Sequence, residues 1–538
     1  MKRKLLFLSV IILSLLLRFW HLGENPPSLD WDEASLGYNA YSILRTLRDE
    51  YGNFLPVSIR SFNDYKPPLY TYLTVLPVSV FGLNEFSVRL PSAILGAVAV
   101  IAAYLLTCEL LKRPKISLLT ALFLCLSPWH LQFSRIAFEA NIALTLIILA
   151  VLFYLKGLQK AIFLPLSGFM FGLSLYAYHS PRLIVPALII GLTVIYYSRI
   201  KEKIISYLIF LIILALFFLP VFKELNNSSS ARFSSVSSIN PDEKLTSSIK
   251  DMEYDLNIRG DVLGKILHNR RLVFAREIIA GYLDHFNFDF LFLTGDAPGR
   301  HHAADQGMLY YFDLPLAVIG FLCLIRKISE KSSQTIFLLF LVAPLASSLT
   351  SGTPHAVRAI FYLPLYQIFS SLGLLSALFW LSSRFSKLRK NLLFIIYYLL
   401  FVINIFYLLN QYYVHTPIEH APDWQYGYKE VVKIANVYQD KVNRIIVTYK
   451  YDQPYIFFLF YNKIDPLWYQ LNWGKSEIKR AERKFGKYEF RNIDWEKDKE
   501  LKNVLIIGSA SEIPADSQNK IADINFPDKS PAFRIVLR

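Results

Sequence analysis

Three carboxylates and one lysine stand out in residues 29–69, LDWDEASLGYNAYSILRTLRDEYGNFLPVSIRSFNDYKPPL. Asp30, Asp32 and Glu33 form an acidic knot, and Lys66 stands before two prolines, Pro67 and Pro68. A carboxylate held beside a hydroxyl can take its proton as a general base. A cation held beside a phosphate can stabilise its charge. The same residues have structural uses. Asp30 or Asp32 suits a helix N-cap, Glu33 suits a first helical turn, and a proline often opens a helix. Leu36, Ala40, Ile43, Leu44 and Leu47 recur at helical spacing behind the knot, so the stretch predicts a short amphipathic helix.

The chain around this stretch decides the environment. It has 538 residues, 54% of them hydrophobic, and its mean hydropathy is +0.35. Long runs of Leu, Ile and Phe at that balance predict a polytopic α-helical membrane protein. The net charge of +15 does not point to nucleic acid, because many basic residues fall in short loops between apolar spans, where they report topology. No small-residue cleavage pattern follows Trp20, so the first apolar segment reads as a retained anchor. Cys108, Cys125 and Cys323 all lie in apolar spans and read as free buried thiols.

Lys2, Arg3 and Lys4 precede the first span, 5–22, which puts the N-terminus in the cytoplasm and residues 23–82 outside. Residues 68–82 are apolar but short for a crossing, so they predict a helix at the outer interface. The second span, 88–111, then meets Lys112, Arg113 and Lys115 inside. Continuing in this way puts every basic short loop inside, with about eleven spans and long extracytoplasmic segments at 223–308 and beyond 413.

Ionisable residues collect at the opposite ends of the spans: Arg135 and Glu139, His179 and Arg182, Asp313, His355 and Arg358. Each alone could be a snorkelling anchor; gathered on the side of Asp32 and Lys66, they predict a shared polar cavity. The segment 223–308 opens with a polar low-complexity patch, NNSSSARFSSVSS, read as mobile, and ends LFLTGDAPGRHHAADQGMLYYFDLP. Asp296, His301, His302 and Asp305 could be metal ligands, but their spacing matches no specific zinc pattern, so the expectation is a substrate-contacting loop with no metal. Residues 414–538 carry more charge and shorter apolar runs. Residues 444–448 and 503–508 predict buried strands and 428–438 a helix, a small extracytoplasmic α/β domain following a transmembrane domain of residues 1–413.

An acid pair in the first external loop, then Lys-Pro before an apolar helix, resembles the C-superfold (GT-C) glycosyltransferases that use polyprenyl-phosphate sugars. The nearest groups are the protein O-mannosyltransferases, the lipid A aminoarabinose transferases and the bacterial RgtA/B/C/D-like proteins. The likeness covers roughly the first four hundred residues and is most specific between Pro26 and Glu139. It implies inverting transfer of a sugar to a hydroxyl of a protein, lipid or glycan, on the outer face of a bacterial plasma membrane, without a cofactor. It also implies roles. Asp32 would be the base, assisted by Glu33, and Lys66 and Arg135 would hold the donor phosphate. Independently of the resemblance, the spacing of His355 and Arg358 predicts a pair one turn apart on a helix that could meet the same phosphate. Glu139, Asp296, Arg300, His301 and His302 are possible substrate contacts, the second group because a similar Gly-Asp and Arg-His segment occurs in the resembling bacterial proteins. In the spans, no Asp-x-Asp triplet or Rossmann-like glycine turn points to a nucleotide sugar. The rival reading is a lipid or solute transporter or flippase. It predicts internal repeats, broken helices and ionisable groups near the bilayer midplane; this sequence shows no repeat and puts its ionisable groups at the outer ends. An oligosaccharide ligase or oligosaccharyltransferase is a second enzyme reading; acid pair then Lys-Pro-Pro in one loop argues against it.

Overall fold

A computed structural model describes residues 2–62, 64–225, 242–260, 262–384, 386–474 and 484–538. The polar patch expected to be mobile, NNSSSARFSSVSS, lies at 226–238, outside the described residues.

Helix α1, Lys2–Phe19, leads to α2, Trp31–Thr46. Asp30 caps α2: its backbone is extended and its carboxylate accepts from the Glu33 N–H at 2.7 Å. Leu47, at φ 58°, closes the other end by donating its N–H to the Ile43 carbonyl. A hairpin of β1 (Ile59–Ser61) and β2 (Asp64–Lys66), with Ile59 opposite Lys66, follows. Pro67 and Pro68 stop the strand and open α3, Leu69–Phe81. At 13 residues α3 spans about 20 Å, short of the roughly 30 Å hydrocarbon layer. Leu73, Leu76, Val80 and Phe81 are exposed along it.

Helix α4, Glu85–Leu111, is capped by Asn84, which accepts from the Ser87 N–H at 2.9 Å. Its buried face is rich in small residues, Ala93, Gly96, Ala97, Ala99, Ala102 and Ala103, so helix Glu139–Gly157 packs close against it. Gly96 admits the turn before that helix: a Cβ there would fall 2.3 Å from the Ser134 Cβ.

Among the described residues, six helices are long and apolar enough to cross a membrane: Glu85–Leu111, Glu139–Gly157, Pro181–Lys201, Ile204–Lys223, Ile360–Arg384 and Asn391–Glu419. Four shorter apolar helices accompany them, including α3, Pro114–Leu126 and Asp313–Ile325. By length, then, six helices stand where eleven spans were expected; several expected crossings are helices of 12–13 residues.

The C-terminal region is built differently. Helix Tyr428–Tyr438 falls where the sequence predicts one. Strands β3 (Arg444–Val447), β4 (Lys484–Phe485), β5 (Tyr488–Phe490), β6 (Val504–Ser509), β7 (Lys520–Asn525) and β8 (Pro531–Leu537) form one sheet in the order β4-β5-β3-β6-β8-β7. β3 runs parallel to β5 and β6; the other pairs are antiparallel. The residues of β6 are all buried, as its unbroken apolar run implies. This region rests on α2. Gly37 makes room for it, since a Cβ there would sit 2.6 Å from the Phe460 ring. The Gln470 amide donates to Ser42 Oγ, Thr46 Oγ1 and the Asp49 carbonyl, each at 2.9 Å.

Candidate active site

The three acids of the knot have three different surroundings. Asp30 is fully buried; besides capping α2 it accepts from Arg300 Nη1 at 2.8 Å. Glu33 is fully buried too, held by Arg89 through Nε to Oε1 and Nη2 to Oε2, both 2.9 Å, and by the Ala137 N–H at 2.8 Å. Such a fork-on-fork pair fixes both groups in orientation. Arg89 also donates to the carbonyls of Leu22, Pro26 and Ser28, so one guanidinium ties the turn after α1 to α2. Asp32 alone of the three is accessible, with its side chain 33% exposed, and it accepts from Lys66 Nζ.

The hairpin delivers Lys66 to Asp32 across 34 residues, and the lysine side chain is 9% exposed. Burial pulls the Lys66 pKa down, but Asp32, Glu139 and Asp30 outweigh it and the net shift is upward, so the amine stays charged. Glu139, at the N-terminus of its helix, thus belongs to the same electrostatic group. His179 donates from Nε2 to the Tyr65 carbonyl at 3.1 Å, bracing the lysine-bearing strand. Burial raises the Asp30 carboxyl to about 7 even though Arg300 opposes the rise; Asp32 and Glu33 add to it.

Directly beyond Lys66 the chain borders an apolar groove of about 520 Å³, lined by residues including Val57, Pro68, Leu69, Tyr72, Tyr176 and Phe217. Both tyrosine hydroxyls are turned to backbone, Tyr72 to Pro56 and Tyr176 to Phe217, at 2.9 Å each, which leaves the groove greasy.

Two expected phosphate ligands have other partners. Arg135 is fully buried and donates to the carbonyls of Leu17 (2.6 Å), Trp20 (2.7 Å) and Asn25 (3.1 Å) and to the Tyr412 hydroxyl (3.2 Å). Four of its five N–H groups are thereby taken, and it works as a clamp on the end of α1. His355 and Arg358 do not share a helix. They lie in turns before the short 3-10 stretch Ile360–Tyr362, and the regular helix begins only at Leu365, behind Pro364. Arg358 donates to Thr350 Oγ1 at 2.7 Å and the Ser351 carbonyl at 3.1 Å.

His355 instead joins the loop of Asp296. Asp296 Oδ2 accepts from His301 Nδ1 at 2.6 Å and the Ala356 N–H at 2.8 Å, and His355 Nδ1 lies 3.9 Å away. Asp296, His301 and His355 each offer a ligand atom within 4.8 Å of the others, so these three, rather than His302 or Asp305, are the residues that could hold a divalent ion. Burial, helped by Arg358 and His301, pushes His355 down to about 3, and burial also lowers His301 despite Asp296, so both rings are neutral near pH 7. His302 turns the other way, toward His420 with ring centroids 5.3 Å apart. Arg300, between Asp296 and His301, reaches Asp30 and covers the Trp31 ring at 4.4 Å.

Arg89 and Gln425 were not singled out from the sequence. Arg89 had a signal, an arginine just inside an otherwise apolar helix. Gln425 Oε1 accepts from the Trp31 N–H at 2.7 Å, and nothing in its local sequence announces that.

Residues 65–222 match the family model described as dolichyl-phosphate-mannose-protein mannosyltransferase. That stretch includes Lys66, Arg89, Arg135 and Glu139 and excludes Asp32. An uncharacterized protein of Aquifex aeolicus (strain VF5) is 32% identical over 122 residues, 22% of this chain and 23% of its own length. The fold is similar to that of ArnT from Cupriavidus metallidurans in the apo state, with a TM-score of 0.53 at 12% identity over 99% of this chain and 97% of that one. It is also similar to the archaeal oligosaccharyltransferase AglB from Archaeoglobus fulgidus, in complex with an inhibitory peptide and a dolichol-phosphate. There the TM-score is 0.51 at 11% identity over 85% of this chain and 63% of that chain.

Proposed function

With the C-superfold of membrane glycosyltransferases as its frame, we propose that this chain moves a sugar from a polyprenyl-phosphate donor to an acceptor hydroxyl on the extracytoplasmic face, with inversion. One observation carries the reading: the only accessible acid of the knot, Asp32, is ion-paired to Lys66, and two residues further along the chain Pro68 lines an apolar groove. A lipid monophosphate has that shape, an anionic head on a hydrocarbon tail. In the resting site Lys66 and Asp32 satisfy each other. The donor phosphate takes over the ammonium, and Asp32 is released to meet the acceptor. Asp32 accepts the hydroxyl proton as the acceptor oxygen bonds to the anomeric carbon, and the C–O bond to phosphate breaks with its electron pair leaving on the lipid phosphate. Lys66 neutralises that charge. Glu33, locked by Arg89, is a positioning residue for α2.

The test is transfer in proteoliposomes from synthetic polyprenyl-phosphate sugars, with the donor identified first by mass spectrometry of the lipid that purifies with the protein. Sugar-dependent product with an inverted anomeric centre is expected; a protein that carries no such lipid and transfers none of a panel of sugars overturns the reading. The eleven-crossing topology belongs to the same proposal. Reporter fusions after Lys115, Lys203, Lys331 and Lys390 should read cytoplasmic and a fusion after Pro422 external. An external signal after Lys115 would mean that α3 crosses.

A further inference from the structure

We infer that Gln425 is a positioning residue through which the C-terminal region completes the site: its amide fixes the end of α2 that carries Asp32, an inference that rests on the transferase reading for its kinetic consequence alone. Trp31 is the first residue of α2, and its N–H is one of the donors that a helix start leaves without an intrahelical partner. Asp30 serves the Glu33 N–H, and Gln425 Oε1 serves that of Trp31, at 2.7 Å. Asp32 is the next residue along.

The other end of the amide is anchored as firmly. Gln425 Nε2 donates to the Asp452 carbonyl at 3.0 Å and to the Tyr451 carbonyl. Those carbonyls belong to a turn directly behind β3, in which Asp452 (φ 59°) and Gln453 (φ 51°) are both left-handed. Gln425 is left-handed as well, at φ 50°, and only 3% exposed. Non-glycine residues hold that conformation where their surroundings overdetermine it. Tyr451 is fixed in turn by its hydroxyl on the Ala532 carbonyl, 2.9 Å, in β8. A continuous path of hydrogen bonds therefore runs from the sheet through one amide to the residue before Asp32. Arg300 closes the other side, covering the Trp31 ring and pairing with Asp30.

Packing alone would be served by any side chain of this size, so Gln425→Leu separates packing from positioning. In the full-length protein in lipid nanodiscs, hydrogen exchange in the first turn of α2 should rise by about tenfold. Sugar transfer should lose 10- to 100-fold in kcat, the scale of an ångström-sized misplacement, with the donor KM within about twofold. Exchange in β3 and β6 should not change. Gln425→Glu keeps an acceptor for the Trp31 N–H but sets an oxygen against the Tyr451 and Asp452 carbonyls, so it too should lose protection in the first turn of α2. Wild-type exchange in α2 or a uniform loss of protection across the C-terminal sheet overturns the inference. If Asp32→Asn transfers normally, the assignment of Asp32 as base falls while the exchange result stands. If Asp32→Asn is dead and Gln425→Leu is normal in both measurements, the inference falls alone.

Discussion

Two polar clusters share the extended loops of this protein, and their contrast is instructive. The cluster of the acidic knot is built from acid–base pairs. It pairs Asp32 with Lys66, Glu33 with Arg89 and Asp30 with Arg300, and leaves only Asp32 reachable from outside. The cluster of Asp296 is built from neutral imidazoles around a carboxylate whose Oδ2 is already taken by His301 and the Ala356 N–H. Both join distant segments. Only the first leaves a carboxylate with an open side, and that carboxylate is paired to a cation. On the proposed reading, accessibility rather than burial suits Asp32 to act as a base.

The sharpest way to break this contrast is to neutralise each carboxylate. Asp32→Asn should cut transfer by about 100-fold or more, the usual scale of general-base loss, with insertion and donor binding retained. Asp296→Asn should lower the melting temperature while leaving kcat within about tenfold. Asp30 already caps α2, so a silent Asp32→Asn cannot be explained as a preserved cap; it would remove Asp32 from the chemistry.

A smaller effect on rate, but a large one on stability, is expected from Arg89→Met. It leaves Glu33 charged and buried without its partner, a cost of about 3–5 kcal/mol. Thermal unfolding followed by tryptophan fluorescence should shift down by several degrees; an unchanged midpoint would mean that water reaches Glu33. Lys66→Ala comes next, raising the donor KM and lowering kcat together by roughly tenfold each. An effect on neither would put the phosphate elsewhere.

The mildest effect is that of pH. Asp30 has a carboxyl near 7 in the fold against an ordinary 3.8. The folded chain therefore holds this proton more tightly than the unfolded one, and Asp30's contribution to stability falls as pH rises from about 4 to 7. Activity should run the other way. Below about 7 a neutral Asp30 releases Arg300, and transfer should drop several-fold between pH 8 and 6. Asp30→Asn, which still caps, should flatten that limb; an unaltered profile would assign it to another group.

How much of this was legible beforehand depends on sequence distance. The α2 helix, its acid-rich start and the proline-opened α3 are local signals, and Lys66 stood out because two prolines follow it. The partner of Glu33 is 56 residues away, and that of Trp31 is 394 away. Periodicity cannot see either. His355 and Arg358 looked like neighbours on one helix, yet Pro364 postpones the helix to Leu365 and the two side chains take separate partners. The count of crossings is less legible: among the described residues four apolar helices have only 10–17 residues, and hydropathy registers their greasiness without fixing whether they span.

The short helix α3 has one more consequence. Its exposed Leu73, Leu76, Val80 and Phe81 suit a boundary between water and hydrocarbon, and the groove beside Lys66 begins at its first turn. A donor entering there would arrive sideways, by lateral diffusion within a leaflet. Saturation of the enzyme would then follow the mole fraction of donor among the surrounding lipids, and diluting vesicles at fixed composition would leave the turnover of each protein unchanged.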